Sequence, residues 1–257
     1  GNNLYVLSEG TITLPANSSR LLESVSTEGM GMFSGYYTIT FNNINTSNVT
    51  DMSYMFYHDN VCTAINGLNK FNTANVTNMK QMFYMCSNLT SLDLSSFNTA
   101  SVTNMSGMFW YCNKLSGLDV SGFNTANVTD MSWMFDACYM LTSINVSNFN
   151  TANVTTMYGM FWNCNKLTTL DLRSFTTTYS TDVGLMFCNC SELQHVYVDR
   201  TILTLMSGND PIDEEESGKW MGYYWGNNSG SNTQKNYRMF YNAGISRCDI
   251  TWEEVQV

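Results

Sequence analysis

Basic residues are scarce in this chain. Its 257 residues include 11 Lys and Arg against 21 Asp and Glu, which gives a net charge of -10. Nucleic acids and anionic membranes attract proteins through clustered Lys and Arg side chains, whereas the basic residues here are scattered. We therefore expect neither nucleic acid nor an anionic membrane among the partners.

Long apolar runs are also missing. The longest hold about five residues, for example 108–112, whereas a membrane-spanning helix needs roughly 18 or more. No basic segment followed by an apolar stretch marks an export signal, so any such signal would already have been removed. We expect a soluble segment without membrane contact, and its 44% of apolar residues suffice for a buried core.

A short triplet recurs along the chain at a nearly constant interval. The steps between successive triplets are 27, 26, 26, 26 and 26 residues, and the longer first step contains an insertion after Phe56. Six copies of this period predict a solenoid, in which each unit buries its apolar side against its neighbours. The triplets, Phe-Asn-Thr or a variant of it, begin repeats 1 to 6 at Ile44, Phe71, Phe97, Phe123, Phe149 and Phe175.

Within one repeat the apolar positions follow two different spacings. In repeat 3 they first lie three and four residues apart, which predicts a short α-helical or 3₁₀ turn that Thr103 would cap. Leu118 and Val120 then alternate with polar residues, which predicts a short strand. The positions of the first kind are Val102, Met105, Met108, Phe109, Cys112 and Leu115.

Two motifs in the repeats resemble a known family. Leu89-x-x-Leu92-x-Leu94 is similar to the leucine-rich-repeat core pattern. Met-Phe-x-x-Cys-x-x-Leu, as at 108–115, resembles the BspA-like bacterial surface leucine-rich repeats of the 26-residue variety. The resemblance covers about residues 44–200. It implies an α/β leucine-rich-repeat solenoid with a parallel β-sheet on the concave face, short helical turns on the convex face, and a role in adhesion or host interaction.

The regions outside the repeats indicate a cap at each end. We expect an N-terminal cap at 1–43 with a strand-like segment at 36–41, six repeats at 44–200, and a C-terminal cap at 201–257. The last region loses the period and contains an acidic loop at 210–216. Most of the negative charge lies in these flanks, which helps to keep the ends from stacking on further copies.

Most of the cysteines share the period of the repeats. In a solenoid they would form one column of parallel side chains, which suits buried thiols better than disulfides and gives no tetrahedral cluster for a metal ion. We therefore expect no metal and no cofactor. Cys188 and Cys248 lie outside the column, and a disulfide between them remains open. The column consists of Cys86, Cys112, Cys138, Cys164 and Cys190, with Cys62 close to it.

Asn and Thr follow the Phe of most repeats. Asn98-Thr99 and Asn124-Thr125 are examples. Side chains of these types satisfy backbone groups at turns. We therefore expect a ladder of turn-forming side chains, and we interpret the Asn-x-Thr sequences among them as by-products of that ladder and not as glycosylation sites.

Groupings of catalytic residues are not evident. His58 and His195 lie about five repeats apart, so one site cannot use both. Asp93 and Asp119 would lie about 5 Å apart in neighbouring repeats, the separation of the two carboxylates in retaining glycosidases. Both would share the same solvated surroundings, so nothing would separate their pKa values into those of an acid and a nucleophile. We expect no enzymatic activity.

The polar positions of the predicted strands form a first candidate binding surface. They would face a ligand on the concave side, and most of them are small or acidic. A basic protein segment or a cation would fit such a surface, while a solvated face without a ligand is the alternative interpretation, because large anchor residues are few. The candidate residues are Asp93, Asp119, Asn145, Asp171, His195 and Tyr197.

Aromatic residues after the Met-Phe pairs form a second candidate surface. Tyr84, Trp110 and Trp162 occupy this position in three repeats, and Asp136 occupies it in another. Rings placed one residue beyond the core would be partly exposed, and would stack on sugars or anchor a protein partner. The alternative is that they only pack between repeats.

These features predict a non-enzymatic adhesion or protein-interaction module that is secreted or attached to a bacterial cell surface, with a host extracellular protein or glycan as its partner. The prediction depends mainly on the family resemblance, because a fold does not fix a function. Two alternatives stay open. One is a glycan-binding module that uses the convex-face aromatics, and the other is an architectural stalk of a larger surface protein.

Overall fold

The computed structural model of the protein describes residues 2–6, 11–23, 36–176, 181–198, 219–220 and 249–251. The predicted acidic loop and most of the expected C-terminal cap lie outside these residues. The described residues contain nine strands and one 3₁₀ helix, Leu68–Lys70. The strands are β1 (Asn2–Val6), β2 (Ile12–Thr13), β3 (Tyr37–Phe41), β4 (Ile44–Asn45), β5 (Cys62–Asn66), β6 (Thr169–Leu172), β7 (His195–Val198), β8 (Lys219–Trp220) and β9 (Asp249–Thr251).

Most of the strands pair in parallel. β1, β3 and β5 form one sheet, in which Ile39 pairs with Leu4 on one side and Ile65 on the other. β6, β7 and β9 form a second parallel sheet, to which β8 adds an antiparallel edge, and β2 pairs with β4. β3 is the strand predicted at 36–41, and Ile39 and Phe41 are buried as its alternation requires.

A ladder of single parallel β-bridges also joins successive repeats. The Thr103 N–H donates to the Thr77 carbonyl at 2.8 Å, and the Thr129 N–H donates to the Thr103 carbonyl at 2.9 Å. This ladder therefore follows the Thr-Asn/Asp-Met segments. The bridged residues, each paired with the next, are Asn17, Asp51, Asn78, Asn104, Asp130, Thr156 and Asp182.

The Leu-x-Leu segments of the central repeats differ from the prediction in their backbone hydrogen bonding. Residues 118–120 belong to no strand, whereas the equivalent residues of repeats 5 and 6 form β6 and β7. Their side chains still alternate, because Leu118 and Val120 are buried while Asp119 is exposed. An alternation of apolar and polar residues indicates which side chains face the core. It does not require the backbone of these residues to be hydrogen-bonded to a neighbouring strand.

The Met-Phe segments form turns in place of the predicted helical turns. The Phe109 N–H donates to the Met134 carbonyl of the next repeat at 2.9 Å, whereas the Met108 N–H donates to the Met105 carbonyl of its own repeat at 3.2 Å. Every second backbone N–H of the segment thus donates to a carbonyl of the next repeat. In a helix these N–H groups would all donate to carbonyls of the same segment. A left-handed residue such as Tyr111, at φ +62°, also interrupts helical geometry in each segment. The predicted helical turn is therefore wrong here.

Thr103 does not have the capping role that its position predicts. Its Oγ1 donates to the Thr77 carbonyl of the preceding repeat at 3.1 Å, whereas a cap would accept a hydrogen bond from the following turn. Thr129 and Thr155 make the same contact with the repeats before them. This Thr column ties the repeats together.

One apolar core of Met, Phe, Cys, Leu and Val columns runs through the repeats. The Phe of each Met-Phe motif is fully buried and stacks on the next, with centroids 5.3 to 6.0 Å apart and planes within 14°. Each such pair contributes about 1 kcal/mol beyond the burial of its area. The column consists of Phe56, Phe83, Phe109, Phe135, Phe161 and Phe187.

The predicted cysteine column is a set of buried thiols. Cys112 Sγ donates to the Phe83 carbonyl of the preceding repeat at 3.2 Å, and burial raises the pKa of this thiol, so it stays protonated near neutral pH. Equivalent contacts are made by Cys86, Cys138, Cys164 and Cys190. Cys188 is a buried thiol too. Cys248 lies outside the described residues, so a disulfide between these two stays a prediction.

The predicted ladder of Asn and Thr side chains is confirmed. Thr99 Oγ1 donates to the Asn124 carbonyl at 2.9 Å and accepts from the Asn124 N–H at 2.8 Å. Asn124 Oδ1 accepts from the Ala126 N–H at 3.1 Å, which closes a turn. Asn127, which begins an Asn-x-Thr sequence, donates from Nδ2 to the Ala100 carbonyl at 2.8 Å. These side chains therefore act on the backbone.

Candidate binding surface

A continuous row of half-buried aromatic rings follows the Met-Phe segments from repeat 1 to repeat 5. We call it the aromatic ribbon. Neighbouring rings lie 4.7 to 5.5 Å apart between centroids. The backbone spacing between paired strands, about 4.8 Å, suits this packing distance. The ribbon consists of Tyr54, Tyr57, Tyr84, Trp110, Trp133 and Trp162.

Two side-chain columns, three residues apart in each repeat, supply the ribbon. Repeat 4 exchanges their roles, because Asp136 occupies the ring position and Trp133 provides the ring. Trp133 stacks on Trp110 at 5.3 Å and on Trp162 at 5.2 Å, so the ribbon continues across the missing ring. The first column is Tyr54, Gln81, Gly107, Trp133 and Gly159, and the second is Tyr57, Tyr84, Trp110, Asp136 and Trp162.

Glycine makes room for the Trp133 ring. Gly159 lies one repeat further in the same column, at φ +62°, and a Cβ there would lie 2.8 Å from Trp133 Cε3. Gly107, one repeat earlier, has φ +59°, and a Cβ there would lie 2.9 Å from Gln81 Cγ. The left-handed conformation does not itself require glycine in this column, because Tyr54, Gln81 and Trp133 also adopt it. The missing Cβ of Gly159 is what leaves space for the Trp133 indole.

Face-to-face stacking covers many of the ring faces inside the ribbon. The planes of Trp110 and Trp133 differ by 15°, and those of Trp133 and Trp162 by 27°. Tyr57 and Tyr84 also stack, at 15°. The central part of the ribbon therefore presents mainly ring edges, which carry the positive end of the aromatic quadrupole.

Asp136 is buried at the centre of the ribbon, with 3% of its surface exposed. Its Oδ1 accepts a hydrogen bond from Asn163 Nδ2 at 3.1 Å. Burial raises the pKa of Asp136 to about 7, against the opposing effect of hydrogen bonds from Asn163 and the Ala137 N–H. The Trp110 indole N–H is buried and makes no hydrogen bond of good geometry, but it faces this carboxylate and also lowers its pKa.

The two ends of the ribbon differ. At its start the Arg20 guanidinium lies 4.4 Å from the Tyr54 ring centroid, a cation–π contact of about 0.5–1 kcal/mol at an exposed site. After Trp162 the two columns continue as Leu185 and Cys188, which are buried and not aromatic. The row of rings therefore stops at repeat 5.

The three aromatic candidates from the sequence, Tyr84, Trp110 and Trp162, all lie in the ribbon and are half-buried. The rings pack between repeats and keep part of their surface exposed, and a role of these residues in binding stays a prediction. Trp133 was expected among the convex-face aromatics but was not one of the binding candidates, and Asp136 was expected only to interrupt the row of rings. The available signal was a reciprocal exchange, Gly-Trp-Gly in one column against Trp-Asp-Trp in the other.

The acidic candidates on the Leu-x-Leu side are exposed, and each engages its own turn. Asp119 Oδ1 accepts from the N–H and the hydroxyl of Ser121 at 2.9 and 2.6 Å. Asp93 does the same with Ser95, and these hydrogen bonds lower the pKa of both carboxyl groups. Asn145 repeats the arrangement with the serine two residues later. One oxygen of each residue is therefore committed to the backbone.

The remaining candidates meet at repeats 5 and 6. His195 and Tyr197 lie in β7, where they pair with Thr169 and Asp171 of β6 and are half-buried. The Arg173 guanidinium pairs with Asp171 at 2.7 Å, lowers its pKa, and lies 5.7 Å from the Tyr197 ring centroid. The structure thus brings a charged pair and a ring together here, away from the central repeats.

Two kinds of feature are absent from the described part of the chain. No three His, Cys, Asp or Glu side chains there form a group able to hold a metal ion. Nor is any helix in it long and apolar enough to cross a membrane.

Comparison with protein families identifies the relatives of this chain. The family described as Mycoplasma protein of unknown function, DUF285, matches residues 27–118 and 112–198. The two matches together span about two thirds of the sequence. The chain belongs to this family. No curated protein and no solved structure matched it.

Both matches to the family span several repeats and include parts of the ribbon. The first contains Tyr54, Tyr57, Tyr84 and Trp110, and the second contains Trp133 and Trp162. Membership is compatible with a repeat protein of a cell surface, and the description of the family assigns no function. The closer resemblance to BspA-like leucine-rich repeats stays a prediction.

Proposed function

We propose that the chain is a non-enzymatic protein-interaction module of a bacterial cell surface, and that the aromatic ribbon is the surface through which it adheres to a partner protein. The observation that carries the proposal is the row of six half-buried rings across five repeats. Trp and Tyr are frequent energetic anchors of protein interfaces. A packed row of them offers a preorganised strip that loses little side-chain entropy on binding.

Ring stacking within the ribbon favours a protein partner over a glycan. A sugar needs an exposed aromatic face on which to stack, whereas both faces of Trp133 are covered, by Trp110 and by Trp162. Apolar side chains of a protein gain dispersion energy against ring edges as well as faces. We therefore favour a host extracellular protein as the partner.

The charge of the chain favours a basic partner. The net charge is -10, and Asp93 and Asp119 are exposed carboxyl groups with lowered pKa values, so they are ionised at neutral pH. Complementary charge mainly raises the association rate and suppresses wrong partners. In this proposal the ribbon supplies affinity, and the acidic surface supplies steering.

The non-enzymatic and surface parts of the proposal have separate support. His58 and His195 belong to repeats 1 and 6, and the lowered pKa values of Asp93 and Asp119 are the opposite of what a general acid requires. The surface location rests on the resemblance to BspA-like repeats, with which membership in the matched family is compatible.

Binding of the full chain to an array of extracellular-matrix proteins and glycans tests the proposal. A Trp133→Ala/Trp162→Ala variant removes two ribbon rings, and an Asp93→Ser/Asp119→Ser variant removes two carboxylates of the Leu-x-Leu side. Met140→Ala changes a 48% exposed apolar residue outside the ribbon and is the control. Circular dichroism of each variant separates lost binding from lost folding.

We expect protein hits that the Trp variant loses and that Met140→Ala keeps. Protein hits lost only in the Asp variant would place the binding surface on the Leu-x-Leu side. Glycan hits lost in the Trp variant would contradict the protein partner and favour a glycan-binding module. No hit in any form would favour an architectural stalk.

A further inference from the structure

Asp136 places a carboxyl group where other repeats carry a ribbon ring. The row of rings is nevertheless continuous at this repeat, because Trp133 stacks between Trp110 and Trp162. A buried carboxylate loses its hydration and depends on the hydrogen bonds that replace it. Here Asn163 Nδ2 donates such a bond at 3.1 Å, and Asn163 in turn accepts at Oδ1 from Asn189 at 2.9 Å.

The other titratable groups that interact with Asp136 are tyrosines and thiols from several repeats. Burial raises the pKa of each of them, so all are neutral near pH 7. Asp136 is therefore the member of this cluster that changes charge there. The groups are Tyr84, Cys138, Tyr139, Cys164 and Cys188.

We propose that Asp136 is a proton-operated switch of the aromatic ribbon: its protonated form keeps the indoles of Trp110, Trp133 and Trp162 stacked, and its ionisation loosens them. This inference rests on the proposed function, because it concerns the regulation of the same surface. Partner binding at the ribbon would then weaken as the pH rises through neutrality.

The direction of the switch follows from the cost of a buried charge. An ionised Asp136 is stabilised by recruiting water, since its protein donors are few. Trp110 faces the carboxylate and is half-exposed. Its indole N–H favours the ionised form, but this effect is smaller than that of burial, which still raises the pKa. Water that enters when the indole is displaced therefore solvates the ionised carboxylate better than the indole does. Burial places the change at about pH 7, where a small change in acidity alters the population of the two forms.

Acrylamide quenching of tryptophan fluorescence tests the switch on the free chain. We expect quenching of the wild type to increase with pH, in one step with a midpoint at about pH 7. Asp136→Asn keeps the shape and cannot ionise, so it should lose the step. Asp119→Asn removes an exposed carboxyl group of the Leu-x-Leu side and should keep it.

Asn163→Ala provides a second and independent variant. It removes the amide donor to the carboxylate, so we expect the midpoint to rise by about one pH unit. A purely structural role of Asn163 would leave the midpoint in place. If Asp136→Asn fails to fold by circular dichroism, the direction of this shift still decides the question.

A flat wild-type profile, or a step that persists in folded Asp136→Asn, would overturn the switch. The free-chain measurement also separates this inference from the proposed function: a step without any array binding would refute the function and leave the switch standing. Where an array protein binds, equal affinity at about pH 6 and pH 8, on either side of the expected midpoint, would refute control of binding.

Discussion

The Met-Phe side and the Leu-x-Leu side of the same repeats are held together differently. On the Met-Phe side alternate amides bond to the next repeat, and the Phe column stacks beneath the ribbon segments. On the Leu-x-Leu side, residues 118–120 form no strand and exposed polar side chains fold back on their own turns. Backbone-to-backbone hydrogen bonds between the central repeats are thus concentrated on the side that carries the ribbon, whereas the turns after the Leu-x-Leu segments are joined through side chains such as those of Thr99 and Asn127.

The largest expected effect is at the Phe column. Phe109 is fully buried, and its ring centroid lies 5.7 Å from the ring centroids of both Phe83 and Phe135. We expect Phe109→Ala to lower the free energy of unfolding by about 3–5 kcal/mol, measured by urea denaturation followed by circular dichroism. Phe123→Ala, a buried Phe after the Leu-x-Leu segment, is the matched control and should lose less. Equal losses of unfolding free energy in the two variants would contradict the expectation that the Phe column of the Met-Phe side stabilises the repeats more.

The next effect concerns Asp136 and depends on pH. Its pKa of about 7, against the ordinary value of 3.8, means that the folded chain holds this proton more tightly than the unfolded chain. Stability from this group therefore falls as the pH rises from about 4 to about 7, by at most about 4 kcal/mol. Urea denaturation should show Asp136→Asn to be more stable than the wild type at about pH 8, and equally stable at about pH 4. A less stable variant at the higher pH would contradict the burial argument.

A smaller effect is expected where glycine makes room for Trp133. Gly159→Ala adds a Cβ 2.8 Å from the indole, at φ +62°, which we expect to lower the free energy of unfolding by about 1–3 kcal/mol. It should also change the near-ultraviolet circular dichroism of the stacked indoles. Gly122→Ala is the control, since a Cβ there meets nothing within 4 Å. A silent Gly159→Ala would mean that the stack tolerates displacement.

Sequence patterns predicted those features that depend on burial. The spacing of Cys112 and its equivalents, the alternation at Ile39 and Phe41, and the Asn-Thr ladder were all recoverable, because each reports which side chains face inward or reach the neighbouring backbone. Candidate aromatic residues such as Trp110 were recoverable for the same reason.

Backbone hydrogen bonding and the details of the ribbon were not predictable in this way. Apolar spacings of three and four fit a helical turn as well as the observed turn, in which Met108 bonds within the repeat and Phe109 bonds to the next one. The spacing records the buried side chains and not the partner of each amide. The exchange of roles between Trp133 and Asp136 becomes visible only when the two columns, three residues apart in the sequence, are compared with each other. Neither column shows it alone, and only the structure shows that the two positions lie in one row of rings.

The smallest effect gives the sharpest comparison, because the same residue pair occurs on both sides. Asn145 and Asn104 each accept at Oδ1 from the N–H and the hydroxyl of the serine two residues later, Ser147 and Ser106. Asn145 is exposed on the Leu-x-Leu side, whereas Asn104 is half-buried in the bridge ladder and Ser106 is buried. We expect urea denaturation to show a loss of about 0.5 kcal/mol for Asn145→Ala and about 1–2 kcal/mol for Asn104→Ala, which leaves buried donors without their acceptor. Equal losses would show that burial in the bridge ladder adds nothing to the stability of this turn.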